Sequence, residues 1–523
     1  MKSGKLKSTI TNQEQFAKIE SSKVPRSTFD RSFGVKTTFD AGKLIPVYLE
    51  EALPGDTFNV KGTMFGRINT PLVPIMDNIK VDIHYFSVPL RLLWSNFQKF
   101  MGEQEDPGDS ISYTIPTLTT TALTFAEDSI YDYMGLPTGV TQIDDVSALP
   151  LRAYNLIWNE WYRDENLQDS VAKNVGDGPD ALTDYAILDR GKRKDYFSSC
   201  LPWAQKGDAV SIPLGTKAQV AHDVADTVNI GVYSTVNSGY RLMHTDATYL
   251  DATPNSSSEA NSLYADLSGA TAATINELRV AFSTQRFLEK DARGGTRYIE
   301  LIKSHFNVDS PDARLQRPEY LGGGTSDINI TPIAQTSESN STSGNDLGQL
   351  GAIGTFSINE NGFVKTFTEH EYILGIVSIR ADLTYQQGLD RHWSRQTRYD
   401  FYWPSFAHLG EQAVLNKEIY AEGNGNNDDG VFGYQERYAE YKFKNSMVTS
   451  AFRSNHSASL DIWHLAQDFS ALPVLNSSYI PEAPPIDRVI ATPTEPQFKL
   501  DCYFKNLATR PMPVYSTPGL LEL

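Results

Sequence analysis

Strict alternation of apolar and polar residues recurs in segments that lie far apart along the chain, and this feature restricts the possible folds most. The apolar residues of the three clearest segments are Phe58, Val60, Met64 and Ile68; Ile79, Val81, Ile83 and Tyr85; and Phe498, Leu500, Cys502 and Phe504. Successive side chains of a strand point to opposite faces, so this pattern indicates half-buried β-strands. The segment 372–377 is apolar on both faces and predicts a strand in the centre of a sheet.

Three helices are predicted in the connections between these strands. An apolar stripe at helical spacing indicates the first, and its residues are Leu93, Phe97, Phe100 and Met101. The second is expected to begin after Pro150, a residue that suits the first turn of a helix. Its expected buried residues are Tyr154, Ile157, Trp158 and Trp161. A capping box formed by Thr274 and Glu277 marks the start of the third.

Two polar segments divide the chain. Residues 1–28 lack periodicity, which predicts an N-terminal arm, and residues 209–273 are rich in Ser, Thr, Ala, Asn, Asp and Gly. A segment of that length without a core of its own is uncommon in a compact domain, so 209–273 is interpreted as a surface insertion with a few strands. Residues 29–208 and 274–523 are then expected to form the core. Distant strands with helices and long insertions between them predict an antiparallel β-sandwich, of which the jelly roll is the commonest design.

The charge balance argues against a protein dedicated to condensing nucleic acid. Asp and Glu number 64 against 46 Lys and Arg, which gives a formal net charge of −18. Because nucleic-acid binding depends largely on cations that neutralise phosphates, a DNA-condensing chain should be basic. Contact with DNA is therefore expected to be local, or to pass through a basic partner.

The two cysteines, Cys200 and Cys502, are too few for a disulfide framework or a cysteine-based zinc cluster. Two free thiols in a protein made in a reducing cytoplasm are favoured over the alternative, a single disulfide bridge. The longest apolar run, 372–379, is shorter than the roughly 18 residues of a membrane helix, so the protein is expected to be soluble.

Signatures of catalysis and of cofactor binding are missing from the sequence. It contains no nucleophile elbow, phosphate-binding loop or zinc-protease motif. The glycine runs at 294–295 and 322–324 lack the lysine of a phosphate cradle and are interpreted as turns that need a positive φ. The histidines do not cluster at ligand spacing. We therefore expect no enzyme, no cofactor and no metal site.

Two basic segments are candidates for contact with DNA or with another subunit. The first contains Lys192, Arg193 and Lys194, and a solvated or interface loop is favoured there over a phosphate grip. The second interleaves cations with aromatic residues, and its candidate residues are Arg391, Trp393, Arg395 and Arg398. Stacking aromatics with arginines would suit single-stranded DNA, but the same residue types are enriched in subunit interfaces. The interface is favoured here too.

Eleven short stretches, in order along the chain, resemble the major capsid protein of gokushoviruses, a branch of the microvirus family. They are LPGDTF at 53–58, PIMDN at 74–78, VPLRLLW at 88–94, YRDENL at 162–167, RGKR at 190–193, LPWAQKG at 201–207, DARGGTRY at 291–298, LQRPEYL at 315–321, TYQQGL at 384–389, YDFYWP at 399–404 and FGYQERY at 432–438. The resemblance covers most of the chain outside 209–273.

The resemblance implies a single eight-stranded jelly roll of the viral capsid type, mainly β, with long insertions that contain helices. It implies a structural protein of which sixty copies form the simplest icosahedral shell (T = 1) around circular single-stranded DNA. The implied partners are other copies of the chain, a small basic DNA-binding protein, an internal scaffolding protein and a minor DNA-pilot protein. Assembly would take place in the cytoplasm of a bacterial host, and the product would be the virion.

The resemblance further implies that the variable insertion, here 209–273, builds a protrusion at each threefold axis. That surface is expected to contact a host receptor, and its candidate residues are Asn237, Tyr240, Tyr249, Asn255 and Tyr264. Two alternatives from other classes remain open at this point. One is a jelly-roll protein that binds or processes carbohydrate, and the other is a dedicated host-attachment protein.

Overall fold

The computed structural model describes residues 25–119, 124–140, 143–208, 210, 219–222, 231–234, 239–245, 250–254, 263–266, 275–294, 298–307, 316–334, 336 and 350–515. Its strands are β1 Ser27–Asp30, β2 Phe33–Phe39, β3 Ile45–Ala52, β4 Thr57–Ile68, β5 Ile79–Pro89, β6 Gln219–His222, β7 Gly231–Ser234, β8 Gly239–Thr245, β9 Leu250–Pro254, β10 Leu263–Asp266, β11 Glu319–Asp327, β12 Asn329–Ala334, β13 Leu350–Thr366, β14 Glu371–Ala381, β15 Thr384–Tyr385, β16 Glu411–Leu415, β17 Val431–Glu436, β18 Ser446–Met447 and β19 Phe498–Arg510.

The helices are short, apart from one of 19 residues. The α-helices are α1 Leu90–Leu93, α2 Phe97–Phe100, α3 Ile130–Tyr133, α4 Leu149–Ile157, α5 Ile275–Arg293, α6 Tyr298–Phe306, α7 Asn416–Ile419 and α8 Gly425–Asp428. A π-helical turn, Trp158–Tyr162, continues α4. The 3-10 turns are Leu182–Asp184, Arg391–Ser394, Arg398–Asp400, Pro404–Phe406, Ala439–Tyr441, Ser450–Phe452, Asp461–Trp463 and Ile486–Arg488.

The chain forms two compact units. One is Trp203–Asp309, and the other comprises Met1–Pro202 together with Ser310–Leu523. The first unit is wider than the predicted insertion 209–273, because α5 and α6 contact each other and belong to it with β6–β10. Residues 1–24 of the predicted arm lie outside the described residues, whereas the last residues of that arm already belong to β1, which pairs with β19.

Two large antiparallel sheets form the sandwich of the larger unit, which also contains the two-stranded pairs β15–β18 and β16–β17. In one the order is β2-β19-β4-β13-β12, with β1 also on β19, and in the other it is β11-β5-β14-β3. If β1 and β2 are taken as one interrupted strand and β12 as an additional edge strand, each sheet has four strands. Successive strands along the chain then alternate between the sheets, except that β5 is followed by its own neighbour β11. This double-sheet arrangement is that of a jelly roll and confirms the predicted fold class.

The main core lies between the two sheets and contains the apolar residues of the predicted alternating segments. Phe58 and Met64 of β4 and Phe498 of β19 are buried in one cluster with Ile83 of β5 and Ile373 of β14. Burying each such side chain stabilises the fold by about 1.5–3 kcal/mol. The three alternating strands predicted from the sequence are thereby confirmed.

A second core covers the sheet β11-β5-β14-β3 on the side away from the first core. Leu374 and Ile376 of β14 pack there with Tyr154 and Ile157 of α4, while alternate residues of the same strand enter the first core. β14 is therefore buried on both faces and lies between β5 and β3, as the unbroken apolar run 372–377 predicted. Helix α4 has Pro150 in its first turn, also as predicted.

Three local predictions were wrong. The stripe from Leu93 to Met101 is two short helices rather than one, because Trp94 between them is extended and its indole Nε1 donates to Asp177 at 2.6 Å. Trp161 is partly exposed rather than buried, since the helix widens to a π-turn before it ends. The glycines at 322–324 form part of strand β11 rather than a turn, and of the three Gly322 alone has a positive φ. A Cβ at each would collide with neighbouring backbone or side-chain atoms.

Candidate assembly and nucleic-acid surfaces

In the first basic segment, the side chains of Arg190 and Lys192 point into the interior of the larger unit. Arg190 is buried and its Nη1 donates to the carboxylate of Asp82 on β5 at 2.6 Å. The Nζ of Lys192 donates to the carbonyl oxygen of Tyr479 at 2.5 Å and lies 4.1 Å from the centroid of that residue's ring. Burial lowers the pKa of Lys192 below its ordinary value. These two side chains are occupied inside the protein.

The remaining cations of this segment are ion-paired at the surface. Arg193 donates to Asp382 at 3.2 Å, and both side chains are about one-third exposed. Lys194 is the more accessible cation, and it forms an ion pair with Asp164. The segment therefore presents Lys194 and part of Arg193 to the exterior of the unit, with both charges opposed by acidic groups.

Close to Lys192 lies a buried acid, Glu482. Its backbone N–H donates to the carbonyl oxygen of Arg190 at 2.7 Å, which ties the two segments together. Burial raises the pKa of Glu482 to about 7, although the charges of Lys192 and Arg380 act in the opposite direction. This carboxyl is thus an acid whose charge state changes near neutral pH.

The second basic segment divides its arginines between the interior and the surface. Arg391 donates to Glu418 at 3.2 Å and to the carbonyl oxygen of Ala413 at 2.8 Å. Arg395 lies 3.7 Å from Glu440 and has its guanidinium over the ring of Tyr441, 4.5 Å from the centroid. Cations enclosed in this way have little capacity left for phosphates.

Around Arg395 and Arg398 lies a group of exposed aromatic residues, here called the aromatic patch. Its members, each about half exposed, are Tyr399, Phe401, Tyr402, Trp403 and Tyr441. Arg398 donates to the hydroxyl oxygen of Tyr399 at 2.6 Å, and the indole of Trp403 donates to the carbonyl oxygen of Arg398 at 2.7 Å. Trp393, in the preceding 3-10 turn, is 73% exposed. Large apolar surfaces of this kind on one unit usually mark an interaction site.

The candidate host-contact residues fall in the smaller unit. Tyr240 lies in β8, opposite Tyr233 of β7, and Tyr264 lies in β10, opposite Ala221 of β6. Asn237, Tyr249 and Asn255 lie outside the described residues. The five candidates therefore remain a prediction.

The sequence interpretation overlooked the outer face of the sheet that contains β2, β4 and β19. This face is here called the cationic sheet face. Its members are the exposed residues Lys36 of β2, Lys61, Phe65 and Arg67 of β4, and Lys499, Tyr503 and Lys505 of β19. Those of β4 and β19 belong to the polar positions that alternate with the apolar ones in the predicted strands. They were interpreted only as a solvated side, because the pairing of β4 with β19 could not be seen in the sequence.

In the part of the chain that the structure describes, no helix is long and apolar enough to cross a membrane. The same residues include no group of three or more His, Cys, Asp or Glu arranged to hold a metal ion.

Known proteins with similar sequences are described as capsid proteins. A family model described as "Capsid protein (F protein)" matches residues 17–520. Proteins called "Capsid protein VP1" are 47% identical in Bdellovibrio phage phiMH2K, over 97% of this chain and 98% of theirs, and 41% identical in Chlamydia phage 1, over the whole of both chains. The protein of that name in Spiroplasma virus 4 is 36% identical, over 97% of this chain and 98% of its own. With a jelly roll and a match over nearly its whole length, this chain belongs to the phage capsid protein (F protein) family, whose members are structural proteins of the virion and not enzymes.

Proposed function

We propose that sixty copies of this chain close into a T = 1 icosahedral shell around a circular single-stranded DNA genome. The observation that carries the proposal is the two-sheet jelly roll of the larger unit in a chain that matches capsid proteins from end to end. Repeated identical contacts between copies can close into a shell of fixed size, since point-group symmetry limits the number of subunits. Assembly is proposed to take place in the cytoplasm of the bacterial host, where free thiols such as those of Cys200 and Cys502 stay reduced.

The aromatic patch is proposed as a contact between neighbouring subunits. Burying half-exposed aromatic rings gives a large gain per residue, and aromatic and Arg side chains are enriched in interface cores. The internal pairing of Arg395 with Glu440 supports this reading over DNA binding, because it neutralises one of the two arginines of the patch. The other, Arg398, contacts Tyr399 and keeps its positive charge.

Genome packaging is proposed to need basic partners. The net charge of −18 per chain would repel a polyanion if it were spread evenly. A small basic DNA-binding protein would offset genome phosphate, while an internal scaffolding protein and a minor DNA-pilot protein would assist assembly and DNA delivery. The isolated subunit should then bind DNA weakly, and tight, steeply salt-dependent binding would contradict this assignment.

The insertion 209–273 is proposed to form a protrusion at each threefold axis and to contact a host receptor. Its support is compositional, together with the separate compact unit to which β6–β10 belong. Deleting 209–273 should leave shells able to form but abolish their adsorption to host cells. Unchanged adsorption by assembled particles would remove the receptor role from this segment.

The main experiment is co-expression of the chain with its scaffolding partner, followed by cryo-electron microscopy of the purified product. Closed icosahedral shells with knobs at the threefold axes would support the whole assignment. Soluble, folded monomers or small oligomers would overturn it. A glycan array would then test the carbohydrate-binding alternative, and binding of those monomers to host cells would test the attachment protein.

A further inference from the structure

The register of β4 against β19 brings like charges together on the cationic sheet face. Lys61 lies directly opposite Lys505, and Arg67 lies directly opposite Lys499. Opposed side chains on neighbouring antiparallel strands are about 4.5–5.5 Å apart at Cβ, and like charges at that distance destabilise a sheet. The chain has a net charge of −18, yet two pairs of opposed cations lie on this one face. Anions that neutralise them would offset their repulsion.

The acidic groups nearby only partly compensate these cations. Lys36 pairs with Asp501 at 3.4 Å, Lys61 with Glu360 at 2.9 Å, and Lys499 with Glu495 at 3.3 Å, all with substantial exposure. Exposed pairs of this kind contribute about 0–1 kcal/mol each, so a denser anion can displace them.

Two cations of the face have no direct carboxylate partner in the part of the chain that the structure describes, although the charge of Lys505 contributes to lowering the pKa of Glu360 and of Asp30. Within the described residues, Arg67 and Lys505 form no ion pair. Each stands opposite another cation, on either side of the middle of the face. Together with the weakly paired lysines, they leave this face with five cations against the three carboxylates that pair with them.

Two aromatic side chains lie between the charged pairs. Phe65 and Tyr503 are each 54% exposed, and the register places them as diagonal neighbours, with Phe65 opposite Asp501 and Tyr503 opposite Thr63. Their strand neighbours on the inner parity, Met64 and Cys502, are fully buried, so the strands hold both rings on the outer side. Aromatic rings on a flat sheet with cations around them are the arrangement on which unpaired bases stack.

An open groove of about 960 Å³ borders the face on the side of β2. Its lining contains Phe65 and the cations Lys36, Arg67 and Lys499, and also the carboxylates of Asp128, Asp132 and Asp501. The groove is at the upper end of the volumes typical of ligand sites, about 300–1,000 Å³. A groove of this size is larger than a single small ion requires.

We propose that the cationic sheet face binds single-stranded DNA, with bases stacked on Phe65 and Tyr503 and phosphates held by the flanking cations, above all Arg67 and Lys505. This inference rests on the proposed enclosure of a single-stranded genome and assigns this face to the interior of the shell. Charge complementarity favours a polyanion, and the exposed rings favour unpaired bases over duplex DNA, in which the bases are already stacked.

The first test is cross-linking of DNA-filled particles of the full chain with short-wavelength ultraviolet light. After digestion, peptides that carry a nucleotide adduct at Phe65 or Tyr503 are expected in the mass spectrum. Adducts confined to other segments, in shells of normal DNA content, would overturn this inference while leaving the shell function intact. Peptide–peptide links from this face to another protein would overturn it too. A failure to obtain closed shells would instead contradict the proposed function.

The second test measures binding of a fluorescein-labelled oligo-dT to the full-length subunit over a range of salt concentrations. The double variant Arg67→Gln/Lys505→Gln should lower the slope of log affinity against log salt by about 1.4, at about 0.7 per lost phosphate contact. The variants Phe65→Ala and Tyr503→Ala should each weaken binding at least about fivefold.

A matched control removes one charge elsewhere. Lys43 lies outside this face; it is similarly exposed and pairs with Asp189 at 2.7 Å. The variant Lys43→Gln should therefore have little effect on DNA binding. Its changes in slope and in affinity should each be at most about a third of those of the double variant. Equal effects of Lys43→Gln and of the face variants would show non-specific attraction and overturn the proposal. Because all four face positions are exposed, circular dichroism of each variant should match that of the parent chain.

Discussion

Arg152 donates two parallel hydrogen bonds to Asp180, with Nε and Nη2 each 2.7 Å from a different carboxylate oxygen. Both side chains are almost fully buried. Burial alone would raise the pKa of Asp180, but hydrogen bonds from Arg152 and Tyr185 outweigh it and lower the pKa. The other Nη of Arg152 donates to the carbonyl oxygens of Leu93 and Gly176, so one guanidinium fixes α4 to α1 and to the loop before Asp180.

This relationship predicts a large stability loss for Asp180→Asn. The variant leaves a buried guanidinium without its counter-charge, and breaking a buried pair in this way costs about 3–5 kcal/mol. The free energy of unfolding of the unassembled subunit, measured in urea, should fall by that amount. The control is Asp189→Asn, because its partner Lys43 is exposed and an exposed pair contributes about 0–1 kcal/mol. Similar losses for the two variants would refute the special role of Arg152.

The buried carboxyl of Glu482 predicts a pH dependence of stability with a definite sign. Its pKa rises from 4.5 to about 7 on folding, so the folded protein binds more protons than the unfolded chain between those values. The associated stability is fully present below about pH 4.5 and is lost as the pH rises towards 7. The total loss from this group has an upper limit of about 3 kcal/mol.

The variant Glu482→Gln isolates this effect, since it keeps the shape of the side chain but cannot ionise. Its unfolding free energy should be close to that of the parent at pH 4.5 and higher than that of the parent at pH 8. Urea denaturation at several pH values measures both. Parallel pH profiles for the two proteins would mean that Glu482 does not titrate in this range.

The strands of the sandwich could be predicted from the sequence because alternation is a local signal. The spacing of Phe58 and Met64 indicates which face of the strand is buried, whichever strand lies next to it. The jelly-roll arrangement itself required pairing between β2, β4 and β19, which no local pattern encodes. It came from resemblance and was confirmed by the strand order.

The roles of the cations could not be predicted, since their partners are distant in sequence. Arg190 follows its partner Asp82 by 108 positions, so a run of basic residues looked like one exposed surface although two of its side chains point inward. The helix predicted through Trp94 failed for a similar reason. Its indole is held by Asp177, and this tertiary contact outweighs the helical spacing of the flanking apolar residues.

Both cysteine thiols are predicted to be inert in the folded protein. Cys200 and Cys502 are free and buried, and burial raises the pKa of Cys200, while that of Cys502 rises to about 12. Thiolate is the reactive form, so a chromogenic disulfide reagent at pH 8 should label neither residue in the native subunit and both in urea. Rapid labelling of one thiol without denaturant would show that its surroundings open in solution.

The aromatic patch provides the sharpest test of how the subunits associate. Truncation of buried interface aromatics often costs 2 kcal/mol or more of binding free energy, and the same contact recurs throughout a closed shell. The variants Tyr399→Ala and Trp403→Ala should therefore remain folded, because both rings are about half exposed, but should fail to yield closed shells in sedimentation. Phe306→Ala, which removes an exposed ring from the smaller unit, is the control and should assemble.

The pair Arg395→Ala and Arg398→Ala separates the two readings of this patch. If the patch joins subunits, these variants should lower the yield of shells, with a larger effect for Arg395, whose guanidinium lies between the rings of Phe401 and Tyr441. If the patch instead holds the genome, shells should form normally and lack DNA, which the ratio of absorbance at the nucleic-acid and protein maxima reports. Arg395→Ala also removes the ion-pair partner of the buried Glu440, so the unfolding free energy of each variant must be measured alongside. A normal yield of empty shells from a stable Arg398→Ala subunit would transfer the patch from assembly to DNA binding.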